Sequence, residues 1–195
     1  MLAVNDIVVE TTGASAIEQT NAIQNLWSGY GEIKRYILAG GRHKSVIVKH
    51  IVLPSEKKHP RGWNTNLSHQ RKLKSYQVEC NWYQNYAYLT DLNCKMPQCF
   101  HTEEAVNEML LIMEDLDASG YPYRETPESV TLDQAKNCLS WLAHFHAKFM
   151  ERDPDGLWPI GTYWHLETRP DEWEQMTNLS LKQAARAIDA TVRWR

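Results

Sequence analysis

Lys49 closes the run Val46-Ile47-Val48-Lys49, in which three consecutive β-branched residues specify a buried strand. An ammonium group carried into apolar surroundings is strongly destabilising unless an anion meets it. A phosphate or a carboxylate answers that need, and the chain supplies a candidate for each. Glu79 lies on a helical stretch thirty residues further on. Upstream, Ser28-Gly29-Tyr30-Gly31 is a small glycine turn between apolar runs, and glycines let a backbone pass close to a phosphate and aim amide donors at it. Most turns of this composition only reverse a hairpin. Lys49, placed on the third strand after such a turn, gives this one a second reading as phosphate cover.

The flanking elements must bring these residues together. Residues 1–23 read as a helical or extended lead-in. Ile23 to Leu38 reads as a hairpin turning at Ser28 to Gly31, Ala39-Gly40-Gly41-Arg42 makes the next turn, and Ser45 to Leu53 is the strand carrying Lys49. Pro54 to Leu67 is a loop. Ser68 can cap a helix running to about Leu89, with Leu73, Tyr76, Cys80, Tyr83 and Ala87 at helical spacing as its core-facing stripe. Glu79 falls at the edge of that stripe and faces inward. A solvated surface glutamate is the bland alternative, but a position between the lysine strand and the next strand pair favours a carboxylate that holds Lys49.

Two further strands are expected at Cys94 to His101 and Asn107 to Met113, around a Glu103-Glu104 turn. The second is apolar throughout and therefore central. Glu114-Asp115-Leu116 leaves it as a connector, and the Gly-, Ser-, Pro- and Tyr-bearing segment to Pro127 marks a boundary between two lobes. A base lying between lobes can take hydrogen bonds from connector main chain, which makes Glu114 and Leu116 candidates. Thr131 to Gln134 is a capping box opening a helix with Ala135, Cys138, Leu142, Phe145 and Phe149 at helical spacing. An aromatic segment with Trp158, Tyr163, Trp164 and Trp173 follows, where core packing competes with an acceptor pocket for a cationic or amphipathic molecule. A final helix opens at Ser180.

With 195 residues, 43% of them hydrophobic, the chain can bury a sizeable core. Its longest apolar run is five residues, at 109–113, well below the roughly 20 that span a bilayer. Met1 to Glu10 lacks the pattern of a signal peptide, so a cytoplasmic protein without a membrane partner is expected. Cys80, Cys94, Cys99 and Cys138 contain no CxxC pair and are expected as free thiols. Cys94, Cys99 and His101 could be drawn as three zinc ligands, but a strand explains them better and no metal site is assigned. Residues 1–100 carry 12 Lys/Arg against 7 Asp/Glu, residues 101–195 carry 9 against 17, and the net charge is -3. A basic cluster at 57–74 is short and has no recognition motif, so nucleic acid is not expected as a partner.

Taken in order, Ser28 to Gly31, Ile47-Val48-Lys49, His69 to Glu79, Met113-Glu114-Asp115-Leu116 and Leu142-Ala143-His144-Phe145-His146-Ala147 resemble the choline-kinase-like and aminoglycoside-phosphotransferase-like branch of the protein-kinase-like fold, in particular its ecdysteroid-kinase-like members. The resemblance spans about residues 25–150. It implies an α+β chain: a five-stranded antiparallel N-lobe with one packed helix over 1–113, a hinge and linker over 114–127, and an incomplete helical C-lobe over 128–195. It further implies that Gly29 and Gly31 cover the phosphates of ATP, Lys49 holds the α- and β-phosphates, Glu79 orients Lys49, and Glu114 to Leu116 form the adenine hinge. The family's catalytic His-x-Asp loop and magnesium aspartate have no counterpart here. The catalytic residues are therefore unassigned, and the ligands for Mg are expected beyond residue 195. The leading reading is a small-molecule kinase acting on an alcohol, truncated before its catalytic loop. A nucleotide-binding pseudokinase or scaffold is the alternative, and a protein-binding module without nucleotide is a third.

Overall fold

The computed structural model describes residues 2–26, 29–53, 66–122 and 128–160, with Glu167, Pro170, Gln183 and Arg186. The elements run α1 (Val4–Thr12), β1 (Ala16–Asn25), β2 (Gly31–Ala39), β3 (Ser45–Val52), α2 (Asn66–Asn85), β4 (Cys99–Glu104), β5 (Glu108–Glu114) and α3 (Leu132–Phe149), with short 3-10 turns at Ala87–Leu89 and Leu92–Cys94. The fold is α+β. All five strands form one sheet in the order β1-β2-β3-β5-β4, each neighbour antiparallel. This is the N-lobe architecture of a kinase-like fold.

Both faces of the sheet are covered, and the period-two alternation of β3 and β5 decides what each face contains. Val46 and Val48 of β3, with Leu110 and Ile112 of β5, pack under Val8 of α1 beside Tyr36 and Leu38. Ile51, Met109, Leu111 and Met113 point the other way, against Tyr76 and Cys80 of α2 and Tyr30 of the glycine turn. Residues 108–113 of β5 are all buried, as expected of a strand with apolar neighbours on both faces. The middle of the sheet, however, is β3. Lys49 sits there, paired with Ile33 of β2 on one side and Leu111 of β5 on the other.

Several boundaries differ from the sequence reading. A second helix, α1, covers the sheet face opposite α2, where one packed helix was expected. β1 begins at Ala16 instead of Ile23; it is an edge strand, and most of its side chains are exposed. β4 begins at Cys99, because Leu92–Cys94 winds into a 3-10 turn capped by the Asp91 carboxylate, which accepts from the Asn93 amide. Glu103 and Glu104 are consequently strand residues, and the turn falls at 105–107. α2 starts at Asn66 and stops at Asn85, four residues short of the expected end. On α3 the capping box of Thr131 and Gln134 forms, but Cys138 and Leu142 face outward while Trp141, Phe145 and Phe149 turn inward. Phe145 and Phe149 lie 5.5 and 5.1 Å from Trp82 of α2, whose ring captures that side of the helix. Trp158 is half-buried. Ser28, the loop at 54–65, Tyr163, Trp164, Trp173 and most of the final helix lie outside the described residues.

Among the described glycines, Gly31 has the least room for a side chain. Its φ is 115°, and a Cβ there would collide with the main-chain carbonyl of His50 on β3. Gly29, with φ 75°, has open space around it. Gly31→Ala is therefore expected to lower the unfolding free energy by about 2 kcal/mol or more through strain and displacement of β3. Gly29→Ala is expected to cost about 1 kcal/mol, the left-handed conformation alone. Urea denaturation of the two variants checks the order, and an equal loss would contradict the close approach of Gly31 to β3.

Candidate functional site

β3 delivers Lys49 to the α2 side of the sheet, the same side as Ile47 and Ile51. α2 delivers Glu79 to meet it: residues 76, 79, 80 and 83 share the sheet-facing side of the helix. The Lys49 ammonium donates to both oxygens of Glu79, with Nζ at 2.6 Å from Oε1 and 2.5 Å from Oε2. Lys49 retains 12% of its side-chain exposure and Glu79 retains 31%, so the pair lies at a partly exposed seam between helix and sheet. A partly exposed pair of this kind adds about 1 kcal/mol or less to stability. Its larger consequence is geometric, because it fixes where the lysine charge sits.

Tyr76 forms the floor beside the pair. Lys49 Nζ lies 5.3 Å from its ring centroid and Lys72 Nζ lies 5.2 Å from it, both within cation–π range. Tyr30 of the glycine turn reaches the same place, its ring 5.9 Å from Tyr76 and its hydroxyl 2.6 Å from His69 Nδ1. Burial raises the Tyr30 pKa and keeps the phenol protonated. The turn itself is closed by Leu26 N–H donating to the Gly31 carbonyl and Gly29 N–H donating to the Leu26 carbonyl. Val52 N–H donates to the Tyr30 carbonyl and stitches the turn to β3. Gly29 and Gly31 thus flank a tyrosine that ties the turn to α2, on the side of the sheet that carries Lys49.

The connector lies at the far end of β5. The Glu114 carboxylate accepts from Lys95 at 2.8 Å and from the Gln98 amide at 3.0 Å. Desolvation works against its ionised form, but those donors outweigh it and leave its pKa below the ordinary carboxylate value. The Leu116 carbonyl accepts from the amides of Ser119 and Tyr121. Between them Asp115 is 3% exposed. It receives Arg35 Nε at 2.7 Å and Nη2 at 3.1 Å in a two-pronged pair, and Ser45 Oγ at 2.6 Å. Arg35 also bonds Asp117. Burial alone would raise the Asp115 pKa, yet the hydrogen bonds from Arg35 and Ser45 hold it below the usual carboxylate range. The connector is thereby clamped to β2 and β3, whose register already places Lys49.

Lys49 and Glu79 are brought into contact, Gly29 and Gly31 lie beside the same seam, and Glu114 and Leu116 stand on the clamped connector. Arg35, Ser45, Tyr76 and Lys72 were missed as site residues. A signal existed for Arg35, since it shares one face of β2 with Ile33 and Ile37 and an inward-facing cation there asks for a buried anion. Lys72 was counted only as part of a basic cluster. All four cysteines are free thiols. Burial pushes the Cys80 thiol up to about 12 with help from nearby carboxylates, so it packs as an apolar residue. Among the described residues no group of three or more His, Cys, Asp or Glu is arranged to hold a metal.

Asp115, held ionised in the folded chain, contributes stability that is present above the unfolded carboxylate pKa of about 3.9 and is lost as pH falls through the folded value. Asp115→Asn is expected to cost about 2 kcal/mol at neutral pH, the worth of hydrogen bonds to a charged group. The variant should also lose less stability than the parent between pH 5 and pH 3. Urea midpoints across that range check both statements.

A family model described as the ecdysteroid kinase-like family matches residues 39–156, a span that takes in Lys49, Glu79, Glu114, Leu116 and all of α3 and leaves the glycine turn outside. No curated protein matches the chain. The matched span exceeds half of the 195 residues and coincides with the lysine strand, the glutamate helix and the connector: the chain belongs to the ecdysteroid kinase-like family, a kinase-like family.

Proposed function

We propose that this chain is the nucleotide-holding part of an ATP-dependent small-molecule phosphotransferase whose acceptor is an alcohol. The observation that carries the reading is the Lys49–Glu79 pair at the seam between α2 and the sheet, with the glycine turn beside it and the connector at the end of β5. The residues present fit ATP: a lysine fixed in position by a glutamate holds phosphate oxygens, and the connector offers main-chain groups to a base. The Leu116 carbonyl is already engaged, so its amide is the group that would meet a base acceptor. Residues 1–113 would act as the nucleotide-binding lobe, 114–127 as hinge and linker, and 128–195 as a helical lobe.

Magnesium does not fit the described residues. Asp115 and Asp117 are both bonded to Arg35, and Asp153 and Asp155 are exposed and stand in no catalytic-loop context. Phosphoryl transfer needs an acceptor hydroxyl positioned by a carboxylate and phosphate charge neutralised in the transition state. Lys49 contributes to the second task and cannot perform the first. The bonding of Asp115 and Asp117 to Arg35 favours a second reading for these 195 residues taken alone, that they hold nucleotide without transferring phosphate, as a pseudokinase or scaffold would.

Calorimetric titration with ATP is expected to give binding that Lys49→Ala weakens about tenfold or more, the loss of at least one charge-assisted contact. Unchanged affinity would remove Lys49 from the phosphates. A coupled assay with magnesium and choline, aminoglycoside and sterol acceptors is expected to give no turnover from residues 1–195. Turnover abolished by Lys49→Ala would overturn the non-catalytic reading.

A further inference from the structure

We propose that Lys72 is a second phosphate-holding lysine, set beside Lys49 over the ring of Tyr76, and that the pair makes this seam a site for a polyphosphate chain instead of a single phosphate. The inference rests on the nucleotide reading of the same site and names what in it selects the ligand. Lys72 precedes Tyr76 by one helical turn and shares its sheet-facing side of α2, while Lys74 points outward and is exposed. Lys72 is half-buried and its ammonium lies 5.2 Å from the Tyr76 centroid, against 5.3 Å for Lys49, so two cations face one ring. Among the described residues only Lys49 is neutralised by a carboxylate. Glu79 gives both its oxygens to Lys49, and among the described residues no carboxylate forms an ion pair with Lys72.

Among the described residues, two lysines and one glutamate leave this patch one positive charge in excess. An aromatic face attracts a cation but does not cancel its charge. Burial, reinforced by the neighbouring Lys49, lowers the Lys72 pKa, with Glu79 opposing. A protonated lysine held this way gains from any anion that can touch both ammonium groups. The first turn of α2 contains no acidic residue to compete for it. Tyr30, which closes the patch through its hydroxyl on His69, belongs to the glycine turn, so a phosphate chain lying under that turn would meet both lysines. A nucleoside monophosphate offers a single phosphate group to two ammonium groups, whereas a phosphate chain offers one group to each.

The test is calorimetry on the full chain with ATP, AMP and inorganic tripolyphosphate, comparing Lys72→Met, Lys72→Arg, Lys49→Ala and the exposed control Lys74→Met. Methionine keeps an apolar stem over Tyr76, and circular dichroism establishes that each variant is folded. Lys72→Met is expected to weaken ATP and tripolyphosphate about tenfold and AMP less than about twofold, with Lys72→Arg and Lys74→Met near the parent. If Lys49→Ala weakens both polyphosphates and folded Lys72→Met does not, the role of Lys72 is overturned and the nucleotide reading stands. Should the arginine variant lose as much as the methionine one, charge at this position is not what binds, and the proposal fails. Should methionine not fold, Lys72→Gln replaces it with the same expected losses. Tripolyphosphate binding that needs both lysines, with ATP binding no tighter, would keep Lys72 and remove the adenine hinge. No binding of any of the three by the parent chain would remove both.

Discussion

A lysine on the inner face of the middle strand is the constraint on which the site depends. Val46, Val48 and Ile51 are fully or almost fully buried, and the same alternation that buries them carries Lys49 toward α2. Hydrophobic burial fixes the strand, and the strand leaves the ammonium little choice of position. Glu79 resolves the resulting electrostatic problem at modest gain in stability, since the pair is partly exposed. The pairing therefore makes better sense as orientation: it holds a charge ready at a seam whose floor is the Tyr76 ring.

The connector repeats this logic with a deeper burial. Asp115 is taken almost wholly out of water and receives three side-chain hydrogen bonds from β2 and β3, so the segment that leaves β5 cannot shift without breaking them. Lys95 anchors Glu114 on the other side, and its own carbonyl accepts from the Trp141 indole of α3. Lys148 of α3 bonds Asp91, and the rings of Phe145 and Phe149 rest on Trp82. One continuous set of contacts thus links Lys49, the connector and the first helix after it.

Where the sequence was informative, a strong periodic signal coincided with a charge in the wrong place. Lys49 ends a β-branched run, Glu79 interrupts a helical stripe, and both stood out for that reason. β5 announced itself by five apolar residues in a row. α1 did not, because Ala3 offers no side-chain cap and Ile7, Val8 and Val9 suit a strand as well as a helix. β1 was shortened because an exposed edge strand has almost no alternation to read. The Arg35–Asp115 clamp joins residues 80 apart, a separation that no local pattern encodes. Lys72 was hidden by its neighbours: in a basic stretch, the one lysine that turns inward looks like the others until the helix is in place.

In the nucleotide reading proposed above, Glu79 would act on ATP only through Lys49, and a double-mutant cycle on ATP affinity tests this coupling. Lys49→Met, Glu79→Gln and the double variant would be titrated with ATP at fixed salt. Glu79→Gln is expected to weaken binding in the parent background and to have almost no effect once Lys49 is gone, a coupling of about 1–3 kcal/mol between residues in contact. Additive losses, or a Glu79→Gln effect of the same size in the Lys49→Met background, would contradict it.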